Sequence, residues 1–193
     1  MADSFFQIEE RDRLKILRLH SEDGTNRLTR QCVLSLTNAV NRLSQEQVPL
    51  IITGNERIFS VGADLEEISL LDGPSAYEFS RMGQELMRAV EEFPAPVYAA
   101  VSGYCMGGGL DLALACHHRI ASPQAIFGHR GAALGLLTGW GGTQRLPRVV
   151  GKGRALQMFV AAEKITAAEA LRIRMADVIA ADPVAEAAAR IRR

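Results

Sequence analysis

The chain has 193 residues, 48% of them hydrophobic and 23% charged, and its 22 basic and 22 acidic side chains give a formal net charge of zero. That fits one compact soluble domain with a sizeable core, and the charge balance excludes the basic field of a general nucleic-acid binder or of a protein held on an anionic membrane. Cys32, Cys105 and Cys116 are odd in number and lack CxxC spacing, so neither a disulfide framework nor a zinc site is expected, and a reducing, cytoplasmic setting is. The start MADSFFQIEERDR lacks a basic-then-apolar signal pattern, and no apolar run approaches membrane-spanning length; neither secretion nor membrane insertion is expected.

In chain order, residues 13–19 alternate as an early strand, closed by the turn-forming residues 22–26. Val33, Leu36, Val40 and Leu43 recur at three- and four-residue steps and predict a helix with one apolar stripe. The continuous apolar run at 48–53, ended by Gly54-Asn55, predicts a buried strand. Phe79, Met82, Leu86, Val90 and Phe93 mark a long helix that stops before Pro94 and Pro96. Another strand follows at 96–101 and runs into GYCMGGGLD, residues 103–111. From Gly141 onward the pattern is mostly helical, over 143–150, 154–162, 167–174 and 184–193. Alternating strands and helices predict an α/β fold with parallel strands and right-handed crossovers.

Three consecutive glycines between a strand and an apolar helix admit several readings. One is close packing of helix on sheet. A nucleotide-phosphate loop is disfavoured, because no lysine with serine or threonine follows in P-loop spacing and the glycines do not fit GxGxxG. The remaining reading is a helix N-terminus whose unobstructed N–H groups face a developing oxyanion. Such a site needs a second donor, and the turn FSVGADL, residues 59–65, offers one. Two other clusters carry less. His117 and His118, adjacent on an expected strand, would point to opposite faces, against a metal site, and Cys105 has no paired base that would make it a nucleophile.

Together FSVGADL (59–65), GYCMGGGLDLALAC (103–116), IFGHRGAALGLL (126–137) and GWGGTQRLPRVVG (139–151) resemble the crotonase superfamily, the enoyl-CoA hydratase/isomerase fold. The resemblance covers nearly the whole chain, beginning with the strand at Leu14 and including Thr25-Asn26-Arg27-Leu28 before the first helix. It implies a spiral of ββα units forming a single domain over 1–193, with a spiral core at 1–140 and a mainly helical part at 141–193 that lacks the family's further C-terminal helices. It also implies acyl-CoA thioester chemistry, with no cofactor beyond the coenzyme A of the substrate, and a homotrimer or hexamer on which the short C-terminus bears.

By position, the family's oxyanion hole falls on the N–H groups of Ala63 and Gly108. A thioester carbonyl gains charge as it becomes an enolate, and losing one such donor typically costs about 3 kcal/mol of barrier. Val61, Asp64 and Leu65 fall along the CoA pantetheine and adenine pocket, although Val61 and Leu65 also suit a core and Asp64 a helix N-cap. Trp140 suits a wall of the acyl pocket or a core anchor. Arg27, Arg30 and Arg57 are candidates for CoA phosphate contacts or for ordinary surface charge.

The family's hydratases use two glutamates. The first falls on Asp111, the expected acid/base; the second falls on Gly131, which has no acid. His129 or Arg130 would replace it, or the space at Gly131 would admit water or a small anion. Some naphthoate-forming members carry glycine there and borrow bicarbonate, but they have an aspartate where this chain has Thr138; dienoyl-CoA isomerases carry an acid where it has Gly139. Leu110, Leu112 and Leu114 would raise the pKa of Asp111, whereas Arg130 or the helix terminus would oppose the rise. The expectation is therefore hydration or double-bond isomerisation of an enoyl-CoA. The alternatives are a non-catalytic acyl-CoA-binding or assembly protein on the same fold, and an acyl-CoA hydrolase or decarboxylase.

Overall fold

The computed structural model describes residues 4–192. In chain order its elements are β1 (Phe6–Arg11), β2 (Leu14–Leu19), β3 (Arg27–Leu28), α1 (Arg30–Ser44), β4 (Leu50–Thr53), β5 (Ile58–Ser60), β6 (Gly62–Ala63), α2 (Leu65–Ser69), α3 (Gly73–Glu91), β7 (Val97–Val101), β8 (Tyr104–Met106) and α4 (Gly108–Ala115). There follow β9 (His118–Ala121), β10 (Ile126–Gly128), a 3-10 turn (Gly131–Leu134), α5 (Gly142–Val150), α6 (Lys152–Ala161), β11 (Ile165–Thr166), α7 (Ala167–Arg172), β12 (Val178–Ile179) and α8 (Pro183–Ile191).

The chain returns repeatedly to two sheets. The larger has strand order β1-β2-β4-β7-β9-β12 and the smaller β11-β10-β8-β5, with a two-stranded β3-β6 pair beside them. Each circuit leaves one strand in the large sheet and the next in the small one: β4 then β5, β7 then β8, β9 then β10. A helix then carries the chain round. These are the expected ββα units of the spiral, and the large sheet is parallel throughout except for the β1–β2 hairpin. Continuous apolar runs make the inner strands: all four residues of β4 and all five of β7 are buried. A parallel strand covered on both faces requires that composition.

Helices start where side chains satisfy free amides. Thr29 caps α1 by accepting from Cys32 N at 3.2 Å, and Asp72 with Ser75 forms a reciprocal capping box at the start of α3. The apolar stripes of α1 and α3 pack with Leu17, Ile52, Phe59, Val101 and Phe127 in one core. Across the large sheet, Leu14, Ile16, Ile51 and Ile120 are covered by Ala187 and Ala188 of α8. Each fully buried Leu, Ile or Phe contributes roughly 2 kcal/mol.

Several strands escape sequence patterning, β1, β11 and β12 among them. In β1, FQIEER, only Phe6 is buried; it is an edge strand whose charges face solvent, as edges need. Two further strands, β11 and β12, interrupt the part expected to be mostly helical, and at two residues each they have no period to read. The histidines also differ from expectation. Cys116 ends α4, His117 lies in a bend, and only His118 enters β9. His117 Nδ1 accepts from Val97 N at 2.9 Å while its Nε2 lies 3.0 Å from Glu91 O. Among the described residues, no group of three His, Cys, Asp or Glu side chains is arranged to hold a metal ion, and no helix is long and apolar enough to cross a membrane.

Candidate active site

The C-terminal ends of β6, β8 and β10, with the loop preceding α5, converge on a cavity of about 670 Å³. Val61, Ala63, Asp64 and Leu65, Gly108 and Asp111 of α4, and Gly131 and Trp140 all line it.

The glycines serve both packing and presentation. Gly109 lies against β5, where a Cβ would meet Ser60 O at 2.7 Å. Gly62 likewise lets β6 reach the start of α4, since its Cβ would lie 2.7 Å from Gly108 N. That approach brings Ala63 to the same wall: a Cβ on Gly108 would stand 3.4 Å from Ala63 N. As the first residue of α4, Gly108 has an N–H with no intrahelical acceptor. Gly107, which precedes it, has φ +51° and ψ −121°, backbone space open essentially to glycine.

Asp111 occupies the first turn of α4 and is 1% exposed. Thr138 Oγ1 donates to its Oδ2. Oδ1 lies 3.3 Å from Nε2 of His129, itself 4% exposed. This is contact without hydrogen-bond alignment, and both atoms are buried without a hydrogen-bond partner. Burial pushes the Asp111 carboxyl up to about 7 against the opposing pull of the Thr138 hydrogen bond and the Arg145 charge. The same burial pushes His129 down to about 4. With one proton on the pair, burial therefore favours a neutral imidazole beside a neutral carboxyl, and loss of that proton near neutrality leaves a carboxylate. The opposition foreseen from Arg130 comes instead from Arg145; Arg130 is exposed.

Gly131 lines the cavity, and the point where its side chain would begin is filled. A Cβ there would lie 2.7 Å from the carbonyl oxygen of Leu136, because Leu136 N bonds back to Gly131 O at 2.8 Å and closes the turn. Gly142 packs directly against Asp111 and His129. A Cβ on Gly142 would overlap Asp111 Oδ1 and would lie 2.9 Å from His129 Nε2.

Trp140 is buried, with its indole between Gly83 of α3 and Gly108 of α4, and its Nε1 donates to Phe79 O at 3.1 Å. It is thus both a core anchor and a cavity wall. Asp64 caps α2, accepting from Glu66 N at 2.8 Å and Glu67 N at 3.1 Å, and Val61 and Leu65 expose apolar surface at the cavity rather than filling the core. Of the three arginines, only Arg27 lines the cavity, paired with Asp23 and Asp64. The guanidinium of Arg30 stacks over Phe79 at 5.7 Å. Thr138 and Gly142 were not anticipated as partners of Asp111. His129, offered by the sequence as a replacement for the missing acid, directly follows β10, two residues before Gly131.

The family model described as enoyl-CoA hydratase/isomerase matches residues 9–192. The chain belongs to the enoyl-CoA hydratase/isomerase family. Within that family it is 39% identical to a crotonyl-CoA hydratase of Syntrophomonas wolfei over 90% of this chain and 68% of that protein. It is 43% identical to a probable enoyl-CoA hydratase of Bacillus subtilis over 69% of this chain and 52% of that one. Among solved structures, an enoyl-CoA hydratase from Thermoplasma volcanium superposes with TM-score 0.92 at 29% identity, covering 98% of this chain and 76% of that one. One from Bacillus anthracis gives 0.89 at 31%, covering 97% and 74%. The chain spans about half to two thirds of the length of these curated relatives.

Proposed function

We propose that this chain hydrates a short enoyl-CoA thioester, with Asp111 as acid/base and the N–H groups of Ala63 and Gly108 as the oxyanion hole. The observation that carries the reading is a buried carboxyl, held by Thr138 and tuned to about 7, facing the cavity one turn from a free helix N-terminus. A general base works best when its pKa lies near the operating pH. The hydratase names of the relatives support the same reaction.

The enoyl thioester would enter with its carbonyl oxygen toward Ala63 and Gly108. Asp111 carboxylate takes a proton from water as the water oxygen bonds to the β-carbon, and the electron pair of the double bond moves onto the thioester oxygen. The protonated Asp111 then delivers that proton to the α-carbon on the same face. Water is added across the double bond and the carboxylate is regenerated. One carboxylate is sufficient, because the proton it removes is the proton it returns. Double-bond isomerisation would use the same groups, and the lack of a second carboxyl at Gly131 favours it as the second reading. Val61, Leu65 and Arg27, at the cavity mouth, support a role for that side in holding the CoA arm. The exposed Leu134, Leu137, Leu156 and Val160 support self-association of the chain.

A panel of enoyl-CoA thioesters tests the reaction. Loss of the conjugated thioester absorbance with formation of 3-hydroxyacyl-CoA is the expected result. Tight binding without product for any chain would instead establish a non-catalytic acyl-CoA-binding protein.

A further inference from the structure

Asp111 Oδ1 and His129 Nε2 are two of the buried polar atoms left unpaired among the described residues. Both are buried, they lie 3.3 Å apart, and neither has a hydrogen-bond partner. Leaving a buried polar atom unsatisfied is unfavourable, so two of them side by side on residues that line the cavity call for a polar partner. Gly142 packs behind these two residues, where any side chain would overlap Oδ1 and come within 2.9 Å of Nε2. The imidazole itself is fixed, its ring tilted against Phe159 at 5.2 Å between centroids.

We infer that His129 is a catalytic residue of the hydration reaction, holding the attacking water jointly with Asp111 and so occupying the role left vacant at Gly131. The inference rests on the hydration reading above and assigns it a residue. His129 acts as a neutral hydrogen-bonding group and not as a second acid. Its surroundings disfavour the imidazolium, and the single-carboxylate cycle needs no second proton. In the bound arrangement one hydrogen of the water points to Asp111 Oδ1 and is the proton removed. The water oxygen is steadied by the N–H of Nε2, which leaves a lone pair free for the β-carbon. His129 begins and ends neutral.

This separates two activities of the same site. Hydration needs the water; exchange of the α-proton of a saturated acyl-CoA needs only Asp111 and the oxyanion hole. His129→Phe keeps a ring against Phe159 and deletes the water-holding nitrogen. In that variant, crotonyl-CoA hydration is expected to fall on the order of 10²-fold in kcat with KM nearly unchanged. Deuterium exchange at the α-carbon of butyryl-CoA in heavy water is expected to fall far less than hydration does. His129→Gln, which restores a donor at similar reach, is expected to recover hydration in part, and it carries the same comparison if the phenylalanine variant does not fold. Hydration unaffected in both variants would overturn the inference. So would hydration and exchange falling together, because that would make His129 a structural support for Asp111. A parent protein that exchanges the α-proton but hydrates no enoyl-CoA would instead refute the hydration reading, and His129's role with it.

Discussion

Replacing Asp111 with asparagine should stabilise the protein while inactivating it. The folded-state pKa of Asp111 is raised from 3.8 to about 7, so the folded protein binds this proton more tightly than the unfolded chain does. Stability therefore falls as pH rises from about 4 to about 7, and each pKa unit corresponds to about 1.4 kcal/mol. The penalty is absent below about pH 4, where both states are protonated, and reaches about 4 kcal/mol above pH 7. Asparagine has nearly the same shape, its carbonyl oxygen can accept from Thr138 Oγ1, and it never ionises. Urea unfolding at pH 4 and pH 8 should show the variant equal to the parent at the lower pH and more stable by up to about 4 kcal/mol at the higher, with unchanged m-values. His129, depressed to about 4, has the opposite dependence, losing stability as pH falls from 6.5, so the comparison at pH 8, where it is neutral in both proteins, isolates the Asp111 contribution. A variant no more stable than its parent at pH 8 would refute the claim that Asp111 is held charged at a cost.

The same titration sets the pH profile: kcat/KM for an enoyl-CoA should rise with pH and level off above about 7, because the carboxylate is the working form, and a profile flat from pH 5 to 8 would contradict it. Thr138→Val removes the hydrogen bond that favours the carboxylate, so the acidic limb of that profile should move to higher pH while CoA binding is retained. Gly142→Ala puts a methyl group against Asp111 Oδ1 and should abolish hydration at a stability cost of about 1–3 kcal/mol, measured by urea unfolding alongside turnover.

Much of the architecture is legible in the chain because its physical requirements are local. β4 and β7 are buried on both faces, and their uninterrupted apolar runs say so; α1 and α3 each show one face to the core at helical spacing. Short edge and bridging strands leave no such trace: β1 is charged because its edge is wet, and β11 and β12 are too short to alternate. The site divides in the same way. Ala63, Gly108 and Asp111 sit in motifs whose glycines are required by close backbone approach, and the pattern carries them to one wall. What stands opposite Asp111 is set by tertiary packing. The Leu136 carbonyl stands where a Gly131 side chain would begin, and His129 meets Asp111 only because β10 ends beside the start of α4. The direction of the Asp111 shift depends on how completely the leucines enclose it and on Arg145, 34 residues away in sequence, so no local pattern encodes it.

The most direct test of the central claim is turnover of crotonyl-CoA by the parent chain and by Asp111→Asn, with acyl-CoA affinity measured in parallel. The account predicts hydration by the parent, a loss of roughly 10²–10⁴-fold in kcat for the variant, and similar affinity in both. Equal turnover by the two proteins would remove Asp111 from the chemistry and contradict the account.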